Sequence, residues 1–79
     1  PLAAYRALLP KTARLLVDDC HGAGVVGANG RGSLEHEGVA RDRVIQTITL
    51  SKALGAFGGA VLASADVRGR ILAHSRMFI

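Results

Sequence analysis

Apolar positions at Leu2, Tyr5, Leu8 and Leu9 recur near helical spacing, and Pro10 closes the run. They predict the end of an amphipathic helix. Ala13 to Asp18 is short, apolar and bounded by polar residues, the pattern of a strand buried on both faces. From Asp19 to Gly38 the chain carries glycines at 22, 24, 27, 30, 32 and 38, which predicts a long loop region. Within it, a helical turn from Ser33 to His36 would be capped by Ser33. Arg43 to Thr49, rich in β-branched residues, predicts a second strand. Ser51 to Leu54 reads as a brief helical turn, followed by backbone loosened at Gly55, Gly58 and Gly59. Ala60 to Ala63 is a third strand. Ser64 would then cap a helix from Ala65 to about Ser75, with Asp66 in its first turn, Val67, Ile71 and Leu72 on its buried face, and Gly69 weakening it. The order helix, strand, loop, strand, strand, helix implies an α/β layer architecture. No internal repeat or low-complexity linker interrupts it.

Length and composition narrow this picture. A chain of 79 residues is one small domain at most. Chains of this size bury roughly 60–65% of the surface that their unfolded forms expose, so the core would be marginal. The composition is 49% hydrophobic but only 4% aromatic, typical of buried α/β elements and unlike a self-contained mini-protein, which needs staples. A single cysteine excludes an internal disulfide framework and fits a reducing, cytoplasmic setting. Neither a signal-peptide pattern nor an apolar run of membrane-spanning length is present. The chain starts at Pro1 and stops at Ile79 in an apolar run, so a fragment of something larger is expected, with no internal domain boundary over residues 1–79. The net charge of +4 raises nucleic acid as a partner. However, Arg6, Lys11, Arg14, Arg31, Arg41, Arg43, Lys52, Arg68, Arg70 and Arg76 are dispersed and no aromatic residues interleave with them. That favours a solvated surface over a single-strand-binding stripe, and no nucleic-acid partner is expected.

The candidate chemistry gathers at strand ends, where open α/β sheets bind ligands. Asp18 ends the first strand and His21 follows where the chain turns. A carboxylate there can hold a cationic ring nitrogen, and an imidazole can hydrogen-bond an anionic or phenolic oxygen. The same spacing is equally compatible with Asp18 capping a turn and His21 standing in solvent. Lys52 follows the second strand among Leu50, Ala53 and Leu54. A lysine in apolar surroundings loses charge stabilisation and becomes a nucleophile able to form an imine with an aldehyde; the alternative is an ordinary snorkelling lysine. Thr49 and, less directly, Ser51 offer hydroxyls to a phosphate. The histidine, acids and cysteine lack the spacing of a metal site. Gly22-x-Gly24-x-x-Gly27 follows a strand but opens no clean helix, which makes it a weak dinucleotide fingerprint, and no Gly-Lys-Ser or Gly-Lys-Thr follows, so it is not a P-loop. These glycines read as backbone shaping, and Arg31 as structural or interfacial.

Two stretches, Val-Asp-Asp-Cys-His-Gly-Ala-Gly-Val-Val-Gly-Ala-Asn-Gly-Arg-Gly-Ser-Leu-Glu-His (17 to 36) and Thr-Leu-Ser-Lys-Ala-Leu-Gly-Ala-Phe-Gly-Gly (49 to 59), resemble the α-oxoamine synthases. These are pyridoxal-phosphate enzymes of the aspartate-aminotransferase fold (fold type I), and the pattern is most similar to the biotin-pathway branch, with the glycine-acetylating branch open. The resemblance implies part of the large cofactor-binding domain, a mainly parallel sheet flanked by helices. It also implies pyridoxal 5'-phosphate as cofactor, an amino acid and an acyl-CoA as substrates condensed with loss of carbon dioxide, and a homodimer. Position by position, Lys52 matches the lysine that carries the cofactor and moves the proton. Asp18 matches the acid that pairs with the ring nitrogen, His21 the histidine at the phenolic oxygen, and Thr49 the hydroxyl at the phosphate. Asp19 receives no role by this route. Cys20 stands where the family often has alanine, and reads as a small buried group. A ring-stacking histidine, further phosphate contacts and a carboxylate-binding arginine have no counterpart in these residues, so the stretch would hold an incomplete active site.

Overall fold

A computed structural model describes residues 1–75; Arg76, counted above among the dispersed bases, lies outside the described residues. The elements are α1 (Leu2–Leu8), β1 (Leu15–Asp18), α2 (Ser33–His36), β2 (Val44–Thr49), β3 (Gly59–Leu62) and α3 (Ala65–His74), in the order expected. The strands form one sheet in the order β1-β2-β3.

β1 and β2 pair in parallel, with Leu15 opposite Val44 and Asp18 opposite Thr47. The ladder runs past both named ends: the Leu15 N–H donates to the Arg43 carbonyl at 2.9 Å and the Asp19 N–H to the Thr47 carbonyl at 2.8 Å. β3 returns antiparallel to β2, Thr49 facing Gly59 and Gln46 facing Leu62. The described sheet is therefore mixed. The connection over residues 50–58 is too short for the crossover that a parallel return requires, so β2 and β3 close as a hairpin.

The core is small. Val17, Leu34 and Val44 are buried together, with Leu2, Leu15 and Val39 packed against them. Leu34, 1% exposed, is the side chain through which α2 seals this face of the sheet. On the other face Leu16 is exposed, so β1 is not buried on both faces as its apolar run suggests. In α3, Ser64 caps the helix as expected, accepting from the Val67 N–H at 3.4 Å, and Val67 is buried, but Leu72 stands half in solvent.

Polar ties at the bottom of the sheet hold α1 and the strand starts in place. The Leu2 N–H donates to Glu37 Oε1 at 2.8 Å. Arg6 donates to the Ala40 carbonyl at 2.8 Å and pairs with Asp42 at 2.8 Å. Arg43 adopts a left-handed backbone (φ 58°) and its guanidinium reaches the Lys11 carbonyl at 2.6 Å. Because Leu34 fills the centre of so small a core, Leu34→Ala is expected to cost about 2–5 kcal/mol. A lowered thermal unfolding midpoint of the full-length protein measures it; an unchanged midpoint would contradict this packing.

Candidate functional site

The parallel pairing of β1 and β2 puts both carboxyl ends at one edge of the sheet, and the 50–58 loop of the hairpin rises from the same edge. Four sequence-selected residues lie there. Asp18 ends β1 with an exposed carboxylate that accepts from Thr47 Oγ1 at 3.2 Å. Thr49 ends β2; its Oγ1 stands 2.8 Å from Ser51 Oγ and accepts from the Ser51 N–H at 3.3 Å. Lys52 reaches back across the edge, its Nζ 3.2 Å from His21 Nε2 and 3.9 Å from Cys20 Sγ. Which of the two nitrogens donates in this pair is set by the imidazole tautomer.

The surroundings of Lys52 differ from the apolar pocket expected of it. Residues 51–59 are all exposed, and Phe57 at 98% has no cover. The reason is the hairpin: Lys52, Ala53 and Leu54 sit on its exposed connection, where Ala53 and Leu54 lie against Gly24 and not in the core. The expected helical turn at Ser51–Leu54 is a series of turns, with the Gly55 N–H donating to the Lys52 carbonyl at 3.2 Å. Cys20, read as a small buried group, is half-buried.

One buried residue at this edge went unassigned from sequence. Asp19 is 3% exposed. Its Oδ2 accepts from the Ser33 N–H at 2.8 Å and from Gln46 Nε2 at 2.7 Å, and its Oδ1 from Ser33 Oγ at 2.6 Å. Gln46, fully buried, in turn accepts from Arg41 through Oε1 at 2.7 Å. Ser33 therefore does not cap α2, as its sequence position suggests. Gly32 stands at the cap, and the Ser33 hydroxyl turns to Asp19. Strand parity carries the signal for this: consecutive residues point to opposite faces, so with Asp18 facing out, Asp19 faces in. Space for the carboxylate comes from Gly22 and Gly32, where a Cβ would collide with Asp19 Oδ1 and Oδ2 respectively.

A second carboxylate folds the glycine-rich loop. Glu35 Oε1 accepts from the Asn29 N–H at 2.7 Å and the Arg31 N–H at 3.2 Å, and Oε2 from Asn29 Nδ2 at 2.8 Å. Arg31 lies 4.0 Å from Glu35, consistent with the structural role read for it. No group of three or more metal-ligating side chains occurs among the described residues, and no described helix is long and apolar enough to cross a membrane.

The whole chain, residues 1–79, matches the profile of the family described as Aminotransferase class I and II. The chain belongs to that family. Curated relatives include the 8-amino-7-oxononanoate synthase of Geobacter sulfurreducens, 50% identical over 80 residues, which take in 100% of this chain and 20% of the relative. The enzyme of that name from Mycolicibacterium vanbaalenii is 45% identical over 78 residues, 98% of this chain and 20% of the relative. Among solved structures, the 8-amino-7-oxononanoate synthase of Francisella tularensis superposes with a TM-score of 0.85 at 28% identity, covering 99% of this chain and 23% of the other. The α/β fold inferred from the sequence is thus the fold of this aminotransferase-family enzyme, and the chain spans about a fifth of the length of the relatives it matches.

The bonds to Glu35 predict that the loop is sensitive to acid. The Asn29 side chain, then the Asn29 N–H, hold the Glu35 carboxyl below its ordinary value; desolvation opposes this, and the Arg31 N–H and charge add to it. A carboxylate with a depressed pKa stabilises the fold at neutral pH and loses that contribution as pH falls through the depressed value. Hydrogen-exchange protection at the Asn29 and Arg31 amides should therefore persist at neutral pH and fall below the usual glutamate range. In Glu35→Gln the acid-induced loss should vanish, since no carboxylate remains to titrate.

Proposed function

We propose that this chain is the cofactor-anchoring segment of the large domain of a pyridoxal-phosphate-dependent acyltransferase. That enzyme would condense an amino acid with an acyl-CoA thioester and release carbon dioxide, in the manner of 8-amino-7-oxononanoate synthase. The observation that carries the reading is the approach of Lys52 Nζ to His21 Nε2, 3.2 Å, at the edge where Asp18 and Thr49 end their strands.

The donor set fits pyridoxal 5'-phosphate in kind: a primary amine, a carboxylate, an imidazole and two hydroxyls, all at one sheet edge. Lys52 would hold the aldehyde carbon through Nζ, and Nζ would afterwards carry the proton to and from the substrate carbon. Asp18 would hold a proton on the ring nitrogen by pairing with it. His21 would donate to the phenolic oxygen, and Thr49, with Ser51 beside it, would donate to the phosphate. When bound, the cofactor supplies an electron sink for negative charge beside the amino group of the substrate. Asp18 serves that sink because a protonated ring nitrogen withdraws electrons more strongly than a neutral one.

The exposure of residues 51–59 favours a corollary. The lysine loop would be covered by other parts of the full-length protein or by the second subunit of a homodimer, and the 79-residue stretch alone would be inactive. Acetylation of glycine by acetyl-CoA is the alternative within the same chemistry, and substrate profiling of the full-length enzyme separates the two.

Borohydride treatment of the full-length, cofactor-loaded protein is expected to fix the cofactor on the peptide bearing Lys52, read by mass spectrometry. Lys52→Ala should abolish both that label and the visible absorbance. A label on another lysine would refute the assignment. Asp18→Asn should retain the covalent label yet lower kcat by about 100-fold or more, in proportion to a lost charge-assisted contact of about 3 kcal/mol.

A further inference from the structure

We infer that Asp19 is a positioning residue for the cofactor edge: its buried carboxylate fixes the turn that carries Asp18 and His21 by locking it to Ser33 and Gln46. The inference rests on the cofactor reading above and concerns a residue to which that reading gives no role.

Asp19 sits between the two residues that must be held. Its own backbone extends the parallel ladder, through its N–H to the Thr47 carbonyl at 2.8 Å, and its carbonyl accepts from the Ala23 N–H at 3.1 Å. The residue is therefore fixed before and after by backbone, and in the interior by its carboxylate. Three donors converge on that carboxylate, two from Ser33 and one from Gln46. Ser33 lies 14 residues on, at the far end of the glycine-rich loop, so these bonds close the loop onto the strand end. Gln46 lies on the neighbouring strand, 27 residues away, and is itself held by Arg41. A buried carboxylate is costly unless it is hydrogen-bonded, and here both oxygens are, with no unpartnered buried side-chain oxygen or nitrogen among the described residues. The arrangement is directional: it sets where β1 ends and which way the chain leaves toward Cys20 and His21. His21 then meets Lys52 only because that turn has this course.

The donor geometry distinguishes two substitutions. Asp19→Ala strands the Ser33 N–H and the Gln46 amide in a buried space. In Asp19→Asn the amide oxygen can keep both of those donors while its NH2 donates to a reoriented Ser33 Oγ, so the lock survives. A residue that mattered only by its charge would show no such order, both variants failing alike.

The test uses the full-length protein and two readouts: the Kd for pyridoxal 5'-phosphate, and hydrogen exchange over residues 19–33 in the cofactor-free protein. Asp19→Ala should weaken cofactor binding about tenfold or more and speed exchange, as expected for loss of buried hydrogen bonds. Asp19→Asn should remain within about threefold of wild type, and Ser33→Ala, which removes one donor and keeps the N–H bond, should fall between. Val67→Ala, a core change in α3, serves as a stability-matched control and should leave the Kd unchanged at a similar loss of thermal midpoint. If Asp19→Ala does not fold, the ordering of Ser33→Ala, Asp19→Asn and Val67→Ala decides. Wild-type affinity in a folded Asp19→Ala, or an equal loss in Val67→Ala, would overturn the inference. Should the wild-type protein bind no cofactor at Lys52, the functional reading fails, whereas unaltered exchange in Asp19→Ala and Ser33→Ala overturns the lock itself.

Discussion

The parallel register of β1 against β2 is the constraint on which the rest of this edge depends. Opposing Asp18 to Thr47 brings the end of β1 beside the last residues of β2, so that a carboxylate from one and the Thr49 hydroxyl from the other share a rim. A shift by one residue would exchange the inward and outward sets, turning Asp18 into the core and Asp19 to solvent. The register is held from both ends. Arg43, in its left-handed conformation, grips the Lys11 carbonyl before the strand starts, and the Asp19 carboxylate grips Ser33 and Gln46 after it finishes. Between them, Val17 and Val44 seal against Leu34, with Leu2, Leu15 and Val39 only partly buried around them. Polar locks thus carry much of the alignment that a larger core would otherwise enforce by packing.

Much of the architecture was legible in the sequence because it is local. The periods of the apolar residues, Pro10 after α1 and Ser64 before α3 marked every element to within a residue or two. Where the reading departed, long-range geometry was the reason. Ser33 carries the right side chain for a helix cap, but a buried acceptor 14 residues earlier in the chain draws its hydroxyl instead. Lys52 has apolar neighbours in sequence, yet a hairpin loop separates them from the core. The mixed sheet follows from the short 50–58 connection, a constraint on distance that residue type alone does not announce.

The candidate site was legible in a different way. Asp18, His21, Thr49 and Lys52 stood out by chemistry and by their likeness to a family, and they do come to one edge. Asp19, Gln46 and Glu35 did not stand out, because their work is to hold backbone and not to meet a ligand. Gln46 in particular is a polar residue in the middle of a β-branched strand, where a valine would satisfy every propensity rule. Its burial makes sense only once Asp19 and Arg41 are found at its two ends.

Gly22 and Gly32 carry a consequence for how this stretch can vary. Gly32 adopts a positive φ of 95°, so its backbone alone disfavours any side chain. Gly22 is free of that demand, and what keeps it small is the volume already taken by the Asp19 carboxylate and the Ser33 hydroxyl. Positions 19, 22 and 33 are therefore coupled: a larger residue at 22 needs the room that the bonded side chains of 19 and 33 occupy. The polar lock thus limits the size of a residue that it does not bond.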